Sequence, residues 1–222
     1  MATAEAKRLP EGLFISFEGP EGAGKSTQVQ RLAAVLRQQG YAVLETREPG
    51  GTPLGEELRR LVKHLHGEEA PCDEAELLIM AASRAQLVRR VIQPFLGAGG
   101  IVVCDRFADS TTVYQGMARG LDRDTIETLH GLATDGCRPV LTILMDLDVQ
   151  EGMRRSRERL IVPGSQDRFE RESVTFHERV RQGFLALAKA EPKRVHLVDA
   201  TLSRDRIHQQ IMEIVERAFV RF

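Results

Sequence analysis

Hydrophobic residues along the chain are concentrated in five short runs, which are separated by longer stretches of mixed polarity. The runs are nearly continuous in Val, Ile, Leu and Phe, which is typical of strands buried on both faces of a parallel sheet. We therefore predict five parallel strands. They occupy residues 13–18 (LFISFE), 41–46 (YAVLET), 101–105 (IVVCD), 140–147 (VLTILMDL) and 194–199 (RVHLVD).

The stretches between these runs show the 3.6-residue period of amphipathic helices. The stretch that begins at Asp73 has the spacing of a capping box, with Glu76 three residues later. After the first strand, one apolar face precedes a stop signal at Gly40. This face is formed by Val29, Leu32, Ala33 and Leu36. The later helices are predicted at residues 73–94, 123–134, 149–160, 170–190 and 203–219.

Alternating strands and helices predict an α/β fold, a doubly wound five-stranded parallel sheet with helices on both faces. The chain shows no repeat, low-complexity segment or linker, so a single domain is expected over residues 13–222. Residues 1–12 (MATAEAKRLPEG) contain no apolar signal core, and we expect a short disordered lead-in there. In such a sheet, ligands bind at the carboxyl ends of the strands.

Composition and charge exclude several classes of partner. Of the 222 residues, 42% are hydrophobic and 28% are charged, as is ordinary for a soluble globular protein. The formal net charge of -1 provides no basic field that would attract nucleic acid or an anionic membrane. No stretch approaches the roughly 18 apolar residues of a membrane span. We therefore expect a cytoplasmic protein without a nucleic-acid or membrane partner.

The cysteine and histidine residues do not form a metal-binding pattern. Cys72, Cys104 and Cys137 are far apart and include no C-x-x-C pair, so reduced thiols are expected. His64 and His66 are close in sequence, but residues two apart on a helix point to different sides. We interpret both histidines as solvated.

The segment directly after the first predicted strand matches the phosphate-binding motif G-x-x-x-x-G-K-[ST] at every fixed position. Its glycines let backbone N–H groups approach phosphate oxygens, and the following helix adds a partial positive charge at its N-terminus. Lys25 can reach the outer phosphates, and the Ser26 hydroxyl can ligate Mg²⁺. A nucleotide site is therefore predicted at Gly19, Pro20, Glu21, Gly22, Ala23, Gly24, Lys25, Ser26 and Thr27.

A Mg²⁺-nucleotide site usually has a carboxylate at the end of a neighbouring strand. The sequence IVVCDRF places Asp105 at such a strand end, with Arg106 beside it. The alternative is that Asp105 is an ordinary turn residue. The phosphate-binding motif favours the metal role.

An arginine-rich segment, MRRSRERL, contains Arg154, Arg155, Arg157 and Arg159. Such a run is commonly a solvated helix face, and a nucleic-acid patch is the second alternative, although no aromatic residue interleaves it. The following IVPGSQ is typical of a mobile loop, and arginines on a flap can close over transferring phosphates. We expect an arginine-rich lid over about residues 150–168.

Two classes of phosphate-loop protein compete at this point. One is a switch or motor ATPase that couples hydrolysis to movement, and the other is a small kinase that phosphorylates a metabolite. A guanine-reading N-K-x-D motif is absent, which argues against a GTPase. A kinase needs arginines for a second anion and a pocket for the acceptor, and this chain has candidates for both.

Several segments in order, FEGPEGAGK, TREPGGTPLGEELR, AASRAQLV, DRFADSTTVYQG and DRFE, resemble the bacterial thymidylate kinase family from Leu13 onward. REPGG and DR…ST…YQG are far more specific than the phosphate-binding motif. The resemblance implies a γ-phosphoryl transfer from ATP to dTMP, with Mg²⁺, in a homodimer. The alternatives are another nucleoside or nucleotide kinase of this fold and a regulatory ATPase.

The resemblance implies a base-recognition site in which Arg84 donates to the thymine carbonyl O4, and Thr111 and Gln115 contact the base edge. Met80 and Arg84 are four residues apart, so one helix face presents an apolar wall and a forked donor together. Plain core is the alternative role for Met80. The family commonly has Phe there, so we expect weaker base affinity from the thioether contact, with the preferred base unchanged.

The resemblance also implies contacts with the phosphate and the sugar of the acceptor. Arg59 and Arg106 match the ligands of the acceptor phosphate, and Glu21 matches an acid near the sugar and phosphate. Tyr114 matches the tyrosine under the deoxyribose that leaves no room for a 2′-hydroxyl. The acceptor pocket is further lined by Glu48 and Pro49.

The implied catalytic groups are cationic. Lys25 and Arg106 act on the phosphates, while Ser26 and Asp105 bind the metal. The phosphate-binding motif has no arginine between its glycines, which resembles the sub-type in which the lid supplies it. The candidates for this arginine are Arg155, Arg157 and Arg159. Phosphoryl transfer relies mainly on positioning and charge, so no general base is required.

Overall fold

The structure is a computed structural model that describes residues 6–159 and 167–219, the side chain of Arg159 excepted. Residues 1–5 of the expected lead-in and residues 160–166 of the expected lid lie outside the described residues.

The five predicted strands are confirmed and form one parallel sheet in the order β2-β3-β1-β4-β5. The central strands are buried on both faces, whereas the edge strands are partly exposed because each lacks a neighbour on one side. The strands are β1 (Leu13–Glu18), β2 (Val43–Arg47), β3 (Ile101–Asp105), β4 (Leu141–Asp146) and β5 (Val195–Asp199).

Helices cover both faces of this sheet, so the predicted doubly wound α/β class is confirmed. The described α-helices are α1 (Lys25–Gln38), α2 (Pro53–His64), α3 (Asp73–Leu87), α4 (Gln93–Gly97), α5 (Ala108–Thr111), α6 (Arg123–Thr134), α7 (Val149–Arg159), α8 (Val174–Ala190) and α9 (Arg204–Phe219). π-Helical segments join α3 to α4 (Val88–Ile92) and extend α5 (Thr112–Ala118), and a short 3₁₀ turn spans Gly67–Glu69.

Successive residues of β1 alternate between two cores. Ile15 and Phe17 face the core that includes residues of α1 and α9, whereas Phe14 packs with residues of the α3–α4 connection and β3 on the opposite face. This alternation follows from the period of two along a strand. Strand β1 lies at the centre of the sheet, and its end is next to the end of β3, where Phe17 lies opposite Asp105.

Helix α2 and the helical segment at residues 108–118 were absent from the periodicity-based prediction. The signals for α2 are nevertheless present, because Pro53 occupies its first turn and the Thr52 side chain accepts a hydrogen bond from the Gly55 amide at 3.0 Å. The predicted capping box is wrong. Cys72 precedes α3 without a side-chain cap, and the Glu76 carboxylate bonds to distant residues instead.

Residues 1–12 were expected to form a disordered lead-in, but part of this segment forms backbone hydrogen bonds with the rest of the protein. The Lys7 amide donates to the Gly40 carbonyl, and Lys7 forms a parallel bridge with Tyr41. The Leu9 amide donates to the Gly99 carbonyl. These bonds hold residues 7–9 against the loops that precede β2 and β3.

The three cysteines are free, as expected, and both His64 and His66 are exposed. Within residues 6–159 and 167–219, no group of three or more His, Cys, Asp and Glu side chains is placed to hold a metal ion. None of the helices in the described ranges is long and apolar enough to cross a membrane.

Candidate active site

The phosphate loop (residues 19–26) connects β1 to α1, and its backbone requires glycine at Gly19. Gly19 has a φ of +133°, and a Cβ atom there would lie 2.2 Å from the Met145 carbonyl oxygen. At the other end of the loop, the Lys25 ammonium donates to the carbonyls of Gly19 at 3.0 Å and Pro20 at 2.7 Å. The lysine is therefore folded back over the loop.

Lys25 is 7% exposed, and burial lowers the pKa of its ammonium to about 8. The Arg106 guanidinium lowers this pKa further, while Glu21 and Asp105 oppose the shift. Because burial disfavours the charged form of Lys25, an anion that binds beside the ammonium stabilises this charge. The loop thus has the electrostatics of a polyphosphate site.

Ser26 and Asp105 come together as the sequence predicts. The Ser26 hydroxyl donates to an Asp105 carboxylate oxygen at 2.5 Å, because β3 ends next to β1. Mg²⁺ prefers hard oxygen ligands and is usually held by one or two carboxylates together with substrate phosphates and water. This pair of oxygens fits that requirement.

Arg106 is the centre of a second cluster of hydrogen-bonded polar and charged groups. Its backbone is in the left-handed region, with a φ of +70°. Its guanidinium donates to the Gly19 carbonyl at 3.1 Å, to a Glu21 carboxylate oxygen at 2.6 Å and to the Tyr114 hydroxyl at 3.1 Å. Burial alone would raise the pKa of Glu21, but Arg106 and Lys25 together hold this pKa well below its usual range. Glu21 therefore stays ionised between two cations.

The turn that carries Arg106 is fixed by Glu18, the last residue of β1. Its fully buried carboxylate accepts from the Phe107 amide at 2.7 Å and from the Ser110 hydroxyl at 2.6 Å. Ser110 in turn accepts from the Arg106 guanidinium at 3.2 Å. These bonds set the direction in which Arg106 points.

Arg84 is buried and forms an ion pair with Glu48, in which Nε donates to the carboxylate at 2.8 Å. One terminal nitrogen of Arg84 donates to the Thr111 hydroxyl at 2.9 Å, and the other lies 3.4 Å from Nδ1 of His130. Within the described part of the chain, Oε1 of Glu48 is buried without a hydrogen-bond partner. The guanidinium is therefore held by protein partners at all three of its nitrogens, in a residue that lines the cavity described next.

A cavity of about 300 Å³ brings most of the predicted residues together. Sequence reasoning did not assign several further lining residues, although the quoted DRFE motif contains three of them. The predicted residues that line the cavity are Glu21, Gly22, Gly24, Lys25, Ser26, Thr27, Glu48, Pro49, Arg59, Met80, Arg84, Asp105, Arg106, Thr111, Tyr114 and Gln115. The residues missed are Arg47, Lys63, Phe107, Ser110, Asp167, Phe169 and Glu170.

Among the α7 arginines whose side chains the structure describes, none lines this cavity. The Arg155 guanidinium donates to Glu151 at 2.7 Å and to the Ala200 carbonyl at 3.0 Å, and Arg157 is exposed. The side chain of Arg159 lies outside the described residues.

The first turns of α7 nevertheless pack directly on the phosphate loop. A Cβ atom on Gly152 would lie 2.5 Å from the Glu21 carbonyl oxygen, and one on Gly22 would lie 2.3 Å from the Gly152 carbonyl oxygen. Glycine inside a helix costs about 1 kcal/mol relative to alanine, so Gly152 needs a reason to be there. The reason is the close approach of the two backbones.

We expect Gly152→Ala to lower kcat/KM for the nucleotide by about tenfold or more, because the added methyl group displaces α7 from the phosphate loop. The matched control is Gly131→Ala in α6, where a Cβ atom has open space and should raise stability by up to about 1 kcal/mol. Steady-state kinetics and thermal melting test both variants. Unchanged kinetics in Gly152→Ala would contradict the role of this contact.

Glu48 gives the protein a testable pH dependence. Burial raises the pKa of Glu48 from its ordinary value of 4.5 to about 7, although Arg84 opposes the shift. The stabilising contribution of this carboxyl is fully present below pH 4.5 and is lost as the pH rises through about 7. The parent should therefore lose unfolding free energy between about pH 5 and about pH 8. In Glu48→Gln this loss should be smaller, by up to about 3 kcal/mol.

Urea denaturation at the two pH values measures this difference. Glu57→Gln is the control, because Glu57 is exposed on α2 and should leave the pH profile as in the parent. A profile of Glu48→Gln that overlays the parent would contradict the assignment to Glu48.

Comparison with known proteins adds an independent line of argument. The sequence model of the family described as Thymidylate kinase matches residues 17–211. The thymidylate kinase of Deinococcus radiodurans is 49% identical over 207 residues, which cover 93% of this chain and 98% of that protein. That of Trichlorobacter lovleyi is 47% identical, over 91% of this chain and 96% of that protein.

A solved structure is also similar to this chain. The crystal structure of thymidylate kinase from Ehrlichia chaffeensis has a TM-score of 0.75 and 33% sequence identity, and the match covers 93% of this chain and 100% of that chain. The similarity therefore extends over nearly the whole length, from sequence to fold.

Proposed function

The chain belongs to the thymidylate kinase family, and we propose that it transfers the γ-phosphoryl group of ATP to dTMP within the cavity between the phosphate loop and α3. The family makes the protein an enzyme, a phosphotransferase whose products are dTDP and ADP on the route to dTTP. ATP is its phosphoryl donor. One observation supports this location of the reaction: residues of the phosphate loop and the predicted acceptor residues line the same cavity.

The donor half of the site is built on the phosphate loop. Its backbone amides and the N-terminus of α1 are placed to bind the ATP phosphates, and Lys25 can leave the loop carbonyls for phosphate oxygens. Exchange of these carbonyls for anionic oxygens strengthens each hydrogen bond, because charge-assisted bonds are the stronger ones. We assign the donor-phosphate role to Lys25 and to the loop amides.

Ser26 and Asp105 are the residues that would hold Mg²⁺. When bound, the ion supplies charge neutralisation on the donor phosphates. The protein contributes the two oxygen ligands and their orientation, which follows from the pairing of β1 with β3. Other oxygen ligands come from phosphates and water.

We predict that Asp105→Asn causes a large fall in rate and a higher Mg²⁺ requirement, because the amide keeps the shape of the side chain and removes its charge. A titration of activity against Mg²⁺ concentration measures both effects. Asp124→Asn, an exposed change in the first turn of α6, is the control. A Mg²⁺ dependence equal to that of the parent would make Asp105 a turn residue.

The acceptor half of the site lies on the other side of Arg106. Arg106 and Arg59 are assigned to the acceptor phosphate; Arg59 donates to the Pro49 carbonyl at 2.8 Å and lines the same cavity. Tyr114 is assigned to the deoxyribose face, where its ring lies 5.1 Å from the Arg106 guanidinium. These assignments put Arg106 between donor and acceptor, where a single cation can stabilise the transferring group.

The base is assigned to the pocket formed by Met80, Arg84, Thr111 and Gln115. Arg84 is held by Glu48, Thr111 and His130, which supports a fixed orientation of its guanidinium beside this pocket. A lid arginine (Arg155, Arg157 or Arg159) is proposed to complete the charge around the transferring group. A homodimer and a cytoplasmic location stay predictions from the family resemblance and the composition.

The experiment that tests the function is a panel of nucleoside monophosphates at fixed ATP, read as acceptor-dependent release of ADP. We expect dTMP to be the best acceptor and dUMP a poor but detectable one. ADP release without any acceptor would favour a regulatory ATPase. A different preferred monophosphate would favour another nucleotide kinase of the same fold.

A further inference from the structure

The carboxylate of Glu76 is fully buried on α3 and accepts hydrogen bonds from three side chains. Gln115 donates to Oε1 at 2.6 Å, and Arg119 donates to both oxygens at 2.8 and 3.0 Å. The third donor is Arg168, which donates to Oε2. Both oxygens therefore have partners, and these come from two separate parts of the chain, residues 115–119 and Arg168.

Two of these donors connect Glu76 to the cavity. Gln115 lines the cavity itself, on the π-helical segment Thr112–Ala118. Arg168 lies between Asp167 and Phe169, which both line the cavity. On the basis of the proposed acceptor site, we propose that Glu76 is a positioning residue that holds Gln115 and the segment 167–170 around the acceptor nucleotide.

The segment 167–170, DRFE, is fixed at each of its residues. Lys63 donates to the Asp167 carboxylate at 2.5 Å, and the backbone amide of Arg168 donates to the Lys63 carbonyl at 2.9 Å. The Phe169 ring packs edge-on against Tyr114, with 5.9 Å between the ring centroids. Ser156 donates to the Glu170 carboxylate at 2.6 Å, so the segment also contacts α7.

Arg168 joins this segment to the body of the protein. Besides Glu76, its guanidinium donates to the carbonyls of Val62 at 3.1 Å and Pro71 at 3.5 Å. The charge of Glu76 therefore orients a guanidinium whose neighbour, Phe169, forms a wall of the cavity. Removal of that charge should loosen this wall and release Gln115.

A carboxylate suits this position because it only accepts hydrogen bonds, and all three of its partners donate. A glutamine would turn an N–H group toward at least one of those donors. Arg119 has other acceptors in Glu172 at 2.9 Å and Asp73 at 3.3 Å, whereas Gln115 is held by Glu76. The effect of a neutral residue should thus fall on Gln115 and Arg168.

The test compares the parent with Glu76→Gln by steady-state kinetics and by dTMP binding in calorimetry without ATP. We expect KM and Kd for dTMP to rise by about tenfold or more, with KM for ATP changed by less than about twofold. A role in stability alone would lower the active fraction and leave both Michaelis constants unchanged. Glu74→Gln is the matched control, exposed on the same helix and expected to behave as the parent.

Arg168→Met gives a second, independent test, because Glu76 then stays paired with Arg119 and the buried charge is still compensated. If Glu76→Gln fails to melt cooperatively, the dTMP affinity of Arg168→Met tests the proposal instead. Unchanged dTMP affinity, or equal changes for dTMP and ATP, would overturn the proposal. If the parent releases ADP without dTMP, both the proposed function and the proposal for Glu76 fail.

Discussion

Lys25→Ala is expected to lower kcat by about 10³-fold or more while the protein remains folded. The reason is that the ammonium stabilises charge on the transferring phosphates, where single preorganised donors have effects of this size. The ammonium adds little to the stability of the fold. Burial lowers its pKa to about 8, which is the mark of a cation in an unfavourable environment.

In Lys25→Ala, the two carbonyls that accept from Lys25 both lose this hydrogen bond, but among the described residues only one of them keeps another donor. The Gly19 carbonyl keeps a hydrogen bond from Arg106 at 3.1 Å, and the Pro20 carbonyl loses its lysine donor. Thermal melting of Lys25→Ala should stay close to that of the parent, because removal of an unfavourably buried cation offsets the loss of this one hydrogen bond. Lys189→Ala, an exposed change in the last turn of α8, is the control and should keep full activity. Near-normal turnover in a folded Lys25→Ala protein would contradict the assignment of the phosphate loop.

The second large effect concerns the choice of acceptor. We expect dTMP to be preferred over dCMP by as much as about 10⁴-fold, because Arg84 can only donate and meets the N4 amino donor of cytosine unfavourably. The thymine methyl group offers only apolar contact, worth at most about 1–3 kcal/mol, so dUMP should be rejected less strongly. Replacement of Arg84 should therefore narrow the gap between dTMP and dCMP.

The structure changes how this experiment must be designed. Arg84 and Glu48 are only 3% and 4% exposed, and removal of one partner from such a pair costs about 3–5 kcal/mol. The informative variant is therefore the double change Glu48→Gln with Arg84→Gln, which leaves no uncompensated buried charge. The side-chain amide that Arg84→Gln introduces can present an oxygen that accepts from cytosine.

The control is Glu57→Gln, an exposed change on α2 that should keep the acceptor preference of the parent. The measurement is kcat/KM for dTMP, dCMP and dUMP in the parent and in both variants, with KM for ATP as the internal reference. We expect the double variant to lose dTMP efficiency far more than affinity for ATP. The assignment of the base site would fail if dCMP were the best acceptor of the parent, or if the double variant kept the preference of the parent.

The sequence predicts the donor half of the site from local patterns, because the residues of that half are close together along the chain. The phosphate loop, its strand and its helix are consecutive, so the spacing of Gly19, Gly24 and Lys25 carries the geometry with it. Asp105 required one further step, the rule that the ends of parallel strands meet at one edge of the sheet. The structure places Ser26 beside it, as that rule requires.

The acceptor half was assigned through resemblance, and its supporting contacts were not predicted. Arg84 and Glu48 are 36 positions apart, and Arg168 and Glu76 are 92 positions apart. No local pattern connects such pairs. The capping-box prediction for Asp73 and Glu76 shows the consequence, because a spacing that is typical of a helix start belongs here to a buried network.

By itself, the sequence determined the class of fold and the five strands, and it predicts the nucleotide site. These features depend on hydrophobic periodicity and on short motifs, which act over a few neighbouring residues. Only the tertiary structure decided which side chains pair across the cavity, and that Phe169 forms part of its wall. Such contacts depend on strand order and helix packing, which bring distant segments together, and the free energy of each buried charge depends on the partner it meets there.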